Sequence, residues 1–185
     1  MKTSSASLLF ASLLAFGPIL AAQQPAGVPN FHEVGDRIYR GAQPSTQGFH
    51  SLASLGVKTV IDLRGEGGRS AEERKVVEAA GMRYLAIPLG GYSAPTDQQV
   101  TKLLAVLNDE SAGPVFVHCR RGADRTGTII ACYRISHDHW ETDKALDEAK
   151  ADGMSRTEIS MRRYVLNYTG TAETVAAAPA AATAQ

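Results

Sequence analysis

Cysteine is scarce in this chain of 185 residues: there are two, Cys119 and Cys132. Two thiols cannot frame a disulfide scaffold or a four-cysteine zinc site. An excess of either charge is missing as well. Lys plus Arg number 19 and Asp plus Glu number 19, so no whole-molecule field is available to grip nucleic acid or an anionic membrane. Any anion recognition must be local. A long apolar run is also lacking. The run Leu8 to Leu20 has 13 residues and contains Gly17-Pro18, whereas a membrane span needs roughly 20 apolar residues. There is no Walker-type glycine loop, and Ser51, Ser70 and Ser93 sit in no Gly-x-Ser-x-Gly elbow. No internal repeat is visible. What remains is 44% hydrophobic and 21% charged residues, a globular composition of about one domain's length.

The two ends differ from the middle. Met1 to Ala22 has a lone charge at Lys2, the apolar run, and then the small pair Ala21-Ala22. This is the pattern of a signal peptide cleaved near Ala22. It predicts a secreted or periplasmic protein with no stable membrane anchor after cleavage. Gln23 to Asn30, with Pro25, Gly27 and Pro29, reads as a linker, and residues 31–169 as the folded domain. Residues 170–185 are mostly Ala and Thr with no amphipathic stripe, which predicts a disordered Ala-rich tail.

Within the domain, short apolar strands alternate with helices. Strand candidates are Arg37 to Arg40, Val57 to Leu63, Tyr84 to Ile87 (stopped by Pro88) and Val115 to His118 (started by Gly113-Pro114). Helix patterns cover Ser70 to Ala80, Thr96 to Asn108 and Thr126 to His137. Two more carry Ala145, Leu146 and Ala149, and then Met161, Tyr164, Val165 and Tyr168. The expected fold is α/β, a single domain with a mostly parallel central sheet of four to five strands flanked by helices on both faces. Ligands of such sheets lie beyond the carboxyl ends of the strands. That brings together the loops Arg64 to Arg69, Pro88 to Pro95 and Cys119 to Arg125.

The last of these, His118-Cys119-Arg120-Arg121-Gly122-Ala123-Asp124-Arg125-Thr126-Gly127, follows a buried strand and opens a helix. Five residues separate Cys119 from Arg125. A loop of that length can wrap its amides around one phosphate, with the helix N-terminus adding partial positive charge. Arg125 can hold two phosphate oxygens with its planar fork. Gly122 permits the tight turn. Cys119 sits at the base, where the same dipoles favour thiolate, placed for in-line attack on phosphorus.

These residues resemble the signature of the cysteine-dependent protein tyrosine and dual-specificity phosphatases: His-Cys, five residues, Arg, then Ser or Thr. Tyr39-Arg40-Gly41-Ala42-Gln43-Pro44, Thr59 to Arg64 and Ala94-Pro95-Thr96-Asp97 are similar to the compact bacterial, atypical dual-specificity branch. The resemblance implies a protein tyrosine phosphatase-like fold, a nucleophile at Cys119, a phosphate-binding Arg125, help from Thr126 in breaking down the phosphocysteine, a structural hydrogen-bonding role for His118, and no metal or other cofactor. Expected substrates are a phosphorylated protein or, as an alternative, a phosphoinositide or inositol phosphate. An inactive phospho-ligand binding module keeps the same cradle and is the non-enzymatic alternative. No nucleic-acid partner is expected, and the protein is expected to be a monomer.

The general acid departs from the family pattern, because Pro88 to Pro95 holds no carboxylate. Asp124, inside the phosphate loop, is the favoured candidate, and its other reading is a loop-stabilising carboxylate paired with a neighbouring Arg. Asp97 is the alternative acid, otherwise a helix cap. Arg120 and Arg121, with Gly122 and Ala123, are expected to bind substrate, and the two cations suit a ligand with more than one phosphate. Arg64, Glu66 and Arg69 are candidates for the rim, with Arg64 equally suited to a structural tie to Asp62 or Glu66. Tyr92 packs on a substrate ring or covers the core. His137 and His139 are expected to cap a helix end. Cys132, about two helical turns beyond the loop, lies too far away for a disulfide and is expected in the core.

Overall fold

A computed structural model of the chain describes residues 24–65 and 67–170. The expected signal peptide, Glu66 and residues 171–185 of the expected tail lie outside the described residues.

Five strands form one sheet in the order β1-β2-β5-β3-β4. They are β1 (His32–Gly35), β2 (Ile38–Ala42), β3 (Thr59–Asp62), β4 (Arg83–Ala86) and β5 (Val115–Cys119). β1 pairs antiparallel with β2, and the other pairings are parallel. Period-two patterning sorts the side chains. Val60, Tyr84 and Phe116 point to one face, where they pack with Phe49 and Leu52 of α1 (Thr46–Ser54) and Val77 of α2 (Gly68–Ala79). Ile61, Val115 and Val117 point to the other. There they meet Val100, Leu103 and Leu107 of α3 (Asp97–Asn108) and Ile129, Ile130 and Tyr133 of α4 (Asp124–Ser136). The central strands are therefore apolar on both faces, as a covered parallel sheet requires. α5 (Thr142–Ala151) and α6 (Ile159–Asn167) pack onto α4 through Ala131, Ala145, Ala149, Met154 and Val165.

This is the expected fold class with two additions. β1 and α1 have no counterpart in the sequence reading. β1 is a four-residue edge strand with one buried side chain, too short for periodicity to register. α1 is marked by its cap, with the Ser45 side chain accepting from the Gly48 amide at 3.1 Å. The segment 23–30, expected as a linker, differs too. Over residues 24–30 the chain is packed: Val28 is buried, the Gly27 carbonyl accepts from the Ser45 amide at 2.9 Å, and the Pro29 carbonyl from the Ala42 amide at 2.8 Å. Its Pro and Gly residues shape turns against the sheet.

The connections place the site. β3 runs into α2 on one face, while its neighbour β5 runs into α4 on the other. The loops leaving these adjacent parallel strands diverge and open a crevice at their carboxyl ends. Cys119 is the last residue of β5, at the mouth of that crevice.

Candidate active site

The loop Arg120–Ala123 is shaped by what its carbonyls bond to. The Arg120 carbonyl accepts from the Gln43 amide at 3.3 Å. The Arg121 carbonyl accepts from the Asn30 side-chain amide at 3.3 Å, and the Gly122 carbonyl from the Arg40 guanidinium at 2.6 Å. All three donors belong to residues 30–43, on the β2 side of the loop. Every peptide bond here is trans, so each N–H points opposite to the preceding carbonyl. The amides of Arg121, Gly122 and Ala123 therefore face away from β2, into the crevice. Among the described residues, none of them donates to a backbone carbonyl. They line an anion bowl, and the start of α4 behind it adds the positive end of a helix dipole.

Gly122 is a requirement of this shape. Its φ is +68°, and a Cβ there would run into the Gly41 carbonyl carbon and the Ala42 amide nitrogen. Arg40 is the main outer support. It is 1% exposed, and its second guanidinium nitrogen pairs with the Asp152 carboxylate at 2.7 Å.

Cys119, 2% exposed, lies at the bottom. A cavity of about 410 Å³ opens above it, walled by Tyr92, Arg120, Arg121, Asp124 and Arg125, and also by Ser155, Thr157 and Glu158. Arg125 additionally reaches the Leu63 carbonyl at 3.3 Å. Thr126 is fully buried, and its hydroxyl has no hydrogen-bond partner among the described residues. A second cavity of about 240 Å³ adjoins the first and shares Arg120 and Arg125 with it. Gln43, Arg64, Gly65, Arg69 and Ser70 complete its lining. Cys132 is fully buried in the core, and burial pushes its thiol far above the ordinary range. Both cysteines are free thiols.

Beneath the bowl lies a buried polar network. His118 has Nδ1 at 3.3 Å from the Cys119 carbonyl and Nε2 at 2.9 Å from Glu73 Oε1. The second contact is close but too poorly aligned for a hydrogen bond. Arg64 bridges Asp62 at 2.7 Å and Glu73 at 2.5 Å. Asp62 also accepts from the Tyr84 hydroxyl at 2.7 Å and the Ser70 hydroxyl at 3.2 Å. Burial alone would raise the Asp62 carboxyl, but the Arg64 hydrogen bond, the His118 charge and the Tyr84 hydroxyl outweigh it. They hold the group far below the usual carboxylate range. Asp62, Glu73 and His118 cluster as metal ligands do, yet the Arg64 guanidinium already bridges both carboxylates.

The residues singled out in the sequence therefore separate. Cys119, Arg120, Arg121, Asp124, Arg125 and Tyr92 share one cavity, with Gly122 and Ala123 supplying its amides. Tyr92 is 85% exposed, so it stands at the rim and covers no core. Arg64 takes its structural reading, tied to Asp62 and to Glu73. The residue also lines the second cavity. Asp97 is elsewhere. It accepts from the Tyr164 hydroxyl at 2.7 Å in a separate cavity bounded by Tyr168, and Thr96 is the residue that caps α3. Asp124 is in the cavity but fully engaged: Oδ1 accepts from the Ser155 amide at 2.9 Å and Oδ2 from Arg121. Both oxygens are committed to holding the loop, which suits the loop-stabilising reading better than that of an acid. His137 stacks on Tyr133 at the end of α4 and contacts the Asp138 carboxylate.

Arg40, Asn30, Glu73 and Glu158 escape the sequence reading. A charged residue set among the apolar positions of β2 is a usable signal for Arg40. The other three reach the site only through tertiary packing.

Known proteins share this arrangement. A family model described as "DSP-PTPase phosphatase fused to NAD+ Kinase" matches residues 24–167. The dual specificity protein phosphatase TpbA of Pseudomonas aeruginosa is 30% identical over 124 residues, 67% of this chain and 55% of TpbA. This chain thus spans only about half the length of that relative. The inositol diphosphatase DSP5 of Arabidopsis thaliana is 29% identical over 139 residues, 72% of this chain and 67% of its own. In three dimensions a cysteine-to-serine variant of TpbA in complex with pTyr superposes with TM-score 0.63 at 28% identity, covering 79% of this chain and 87% of that one. The catalytic core of Siw14 superposes with TM-score 0.70 over 79% of this chain and 88% of its own, at 22% identity, a likeness of fold. With the family model matched across the whole described domain, the chain belongs to the DSP-PTPase phosphatase family.

Proposed function

We propose that the chain is a cysteine-dependent phosphatase that hydrolyses phosphomonoesters of the phosphotyrosine and dual-specificity type without a metal. The observation that carries this is the row of carbonyls at Arg120, Arg121 and Gly122 turned toward β2. It turns the amides of Arg121, Gly122 and Ala123 away from β2, in the loop that leaves the buried Cys119. An anionic phosphoryl group fits that bowl, with the Arg125 fork on two of its oxygens. The Cys119 thiolate attacks phosphorus, the ester oxygen departs, and a phosphocysteine forms that water hydrolyses. The Thr126 hydroxyl, buried and unpartnered, is suited to stabilise the sulfur as it leaves. The pTyr complex of TpbA supports an aryl phosphate as substrate.

A second reading is favoured by the adjoining cavity. Arg120 and Arg125 face both cavities, and Arg69 adds a third cation nearby. A ligand carrying two phosphates, such as an inositol polyphosphate, would occupy both, and the inositol diphosphatase relatives point the same way. The amino-terminal sequence supports a site of action outside the cytoplasm.

The test is hydrolysis of a small aryl phosphate. Wild type is expected to turn it over in the presence of chelator, and Cys119→Ser to lose all measurable turnover. Persistent activity in Cys119→Ser would defeat the assignment. A phosphotyrosine peptide compared with inositol polyphosphates then separates the substrate classes, and Arg69→Ala is expected to weaken only the second.

A further inference from the structure

Two carboxyl groups line the Cys119 cavity, Asp124 and Glu158. Both oxygens of Asp124 are occupied by donors of the fold. Glu158 is different. It is 7% exposed, and no hydrogen bond from the described residues reaches its carboxyl oxygens. The residue comes from a segment remote in sequence but fixed to the phosphate loop. After α5 the chain turns through Gly153 at φ +98°. Met154 then anchors in the cluster around Ala131 and Ala145, and the Ser155 amide bonds Asp124 at 2.9 Å. The Glu158 amide closes the turn onto the Ser155 carbonyl at 3.3 Å, and α6 begins. Asp124 thus pins the loop that carries Glu158, and Arg125, the next residue, faces the same cavity.

We infer that Glu158 is the acid–base residue of the reaction, supplying from the α5–α6 loop the proton that the Pro88 to Pro95 segment has no carboxyl to give. In the first step Cys119 Sγ bonds to phosphorus and the bond from phosphorus to the ester oxygen breaks. The electron pair stays on that oxygen, which takes the proton from the Glu158 carboxyl. In the second step the Glu158 carboxylate accepts a proton from water as the water oxygen bonds to phosphorus. The phosphorus–sulfur bond breaks, returning the thiolate and releasing inorganic phosphate. This inference rests on the phosphatase reading above.

The experiment compares leaving groups. The quantity measured is kcat/KM, which covers the steps up to phosphocysteine formation and leaves out its hydrolysis. The substrates are p-nitrophenyl phosphate, whose leaving group departs readily without a proton, and phenyl phosphate, whose leaving group does not. The enzymes are wild type, Glu158→Gln, Asp124→Asn and Asp97→Asn, with Cys119→Ser as blank. Glu158→Gln is expected to lose roughly 10²-fold or more on phenyl phosphate, the usual contribution of a general acid, and several-fold at most on the nitrophenyl ester. Asp97→Asn is expected to match wild type on both. An equal loss on the two esters, or no loss, in Glu158→Gln overturns the assignment, as does a selective loss in Asp124→Asn that exceeds the one in Glu158→Gln. Should Glu158→Gln fail to fold, Glu158→Ala is read by the same criterion. A wild type inactive on the nitrophenyl ester would instead overturn the phosphatase reading, and this inference with it.

Discussion

Gly122 and Cys119 show how much of the chemistry is decided by single residues. Gly122 combines a left-handed φ with contact against the Gly41–Ala42 backbone. Alanine there meets both penalties, since a left-handed non-glycine residue costs roughly 1–2 kcal/mol and the overlap adds to it. Gly122→Ala is expected to lower the melting temperature and to weaken inhibition by inorganic phosphate about tenfold or more. Unchanged phosphate inhibition would show that the bowl does not depend on this turn. The two thiols are expected to separate by reactivity. Burial keeps Cys132 protonated and inaccessible. Iodoacetate should therefore label Cys119 alone, and phosphate should protect it. Peptide mapping reads this directly, and labelling of Cys132 in the native protein would contradict the packing.

Elements, more than residues, hold the bowl open. β2 contributes Arg40, which ties the loop's Gly122 carbonyl to Asp152 at the end of α5. Arg40→Met keeps much of the apolar volume but leaves the half-buried Asp152 carboxylate with only its 3.5 Å contact to His32 and the Gly122 carbonyl unpaired. Losing one partner of a buried pair typically costs about 3–5 kcal/mol. Thermal unfolding should register that loss, together with a raised KM for aryl phosphate. A variant as stable as wild type would mean that Arg40 supports nothing. At this scale the sequence was informative where pattern is local. The strand-loop-helix from Val115 to Ser136 could be read outright, because its apolar run, glycine, cysteine and arginine lie within about twenty positions of one another. β1 and residues 24–30 were not legible, since a short edge strand and a proline-rich turn carry no period. Glu158 was not legible either. It lies 39 positions beyond Cys119 (158 minus 119) and enters the cavity only because α5 and α6 fold back onto α4.

For the whole molecule, the network under the site ties catalysis geometry to stability. Asp62, Arg64, Glu73, His118 and Tyr84 join β3, α2, β5 and β4 into one buried charge cluster. The folded-state pKa of Asp62 is depressed below its unfolded value, so its contribution is present above about pH 4, the ordinary aspartate value. That contribution is lost as pH falls further toward the folded value, because the unfolded chain then binds the proton first. Asp62→Asn is expected to destabilise the protein at pH 7 and to shrink the difference from wild type as the pH is lowered below 4. Denaturant melts across that range measure the convergence, and a constant offset between the two proteins would remove Asp62 from the linkage.

The most direct measurement for the whole account is rapid acid quench during turnover of a radiolabelled aryl phosphate, followed by peptide mapping. The label is expected on the peptide carrying Cys119 and absent from Cys119→Ser. Phosphate incorporated at another side chain, or turnover by wild type with no labelled protein at any time point, would contradict it.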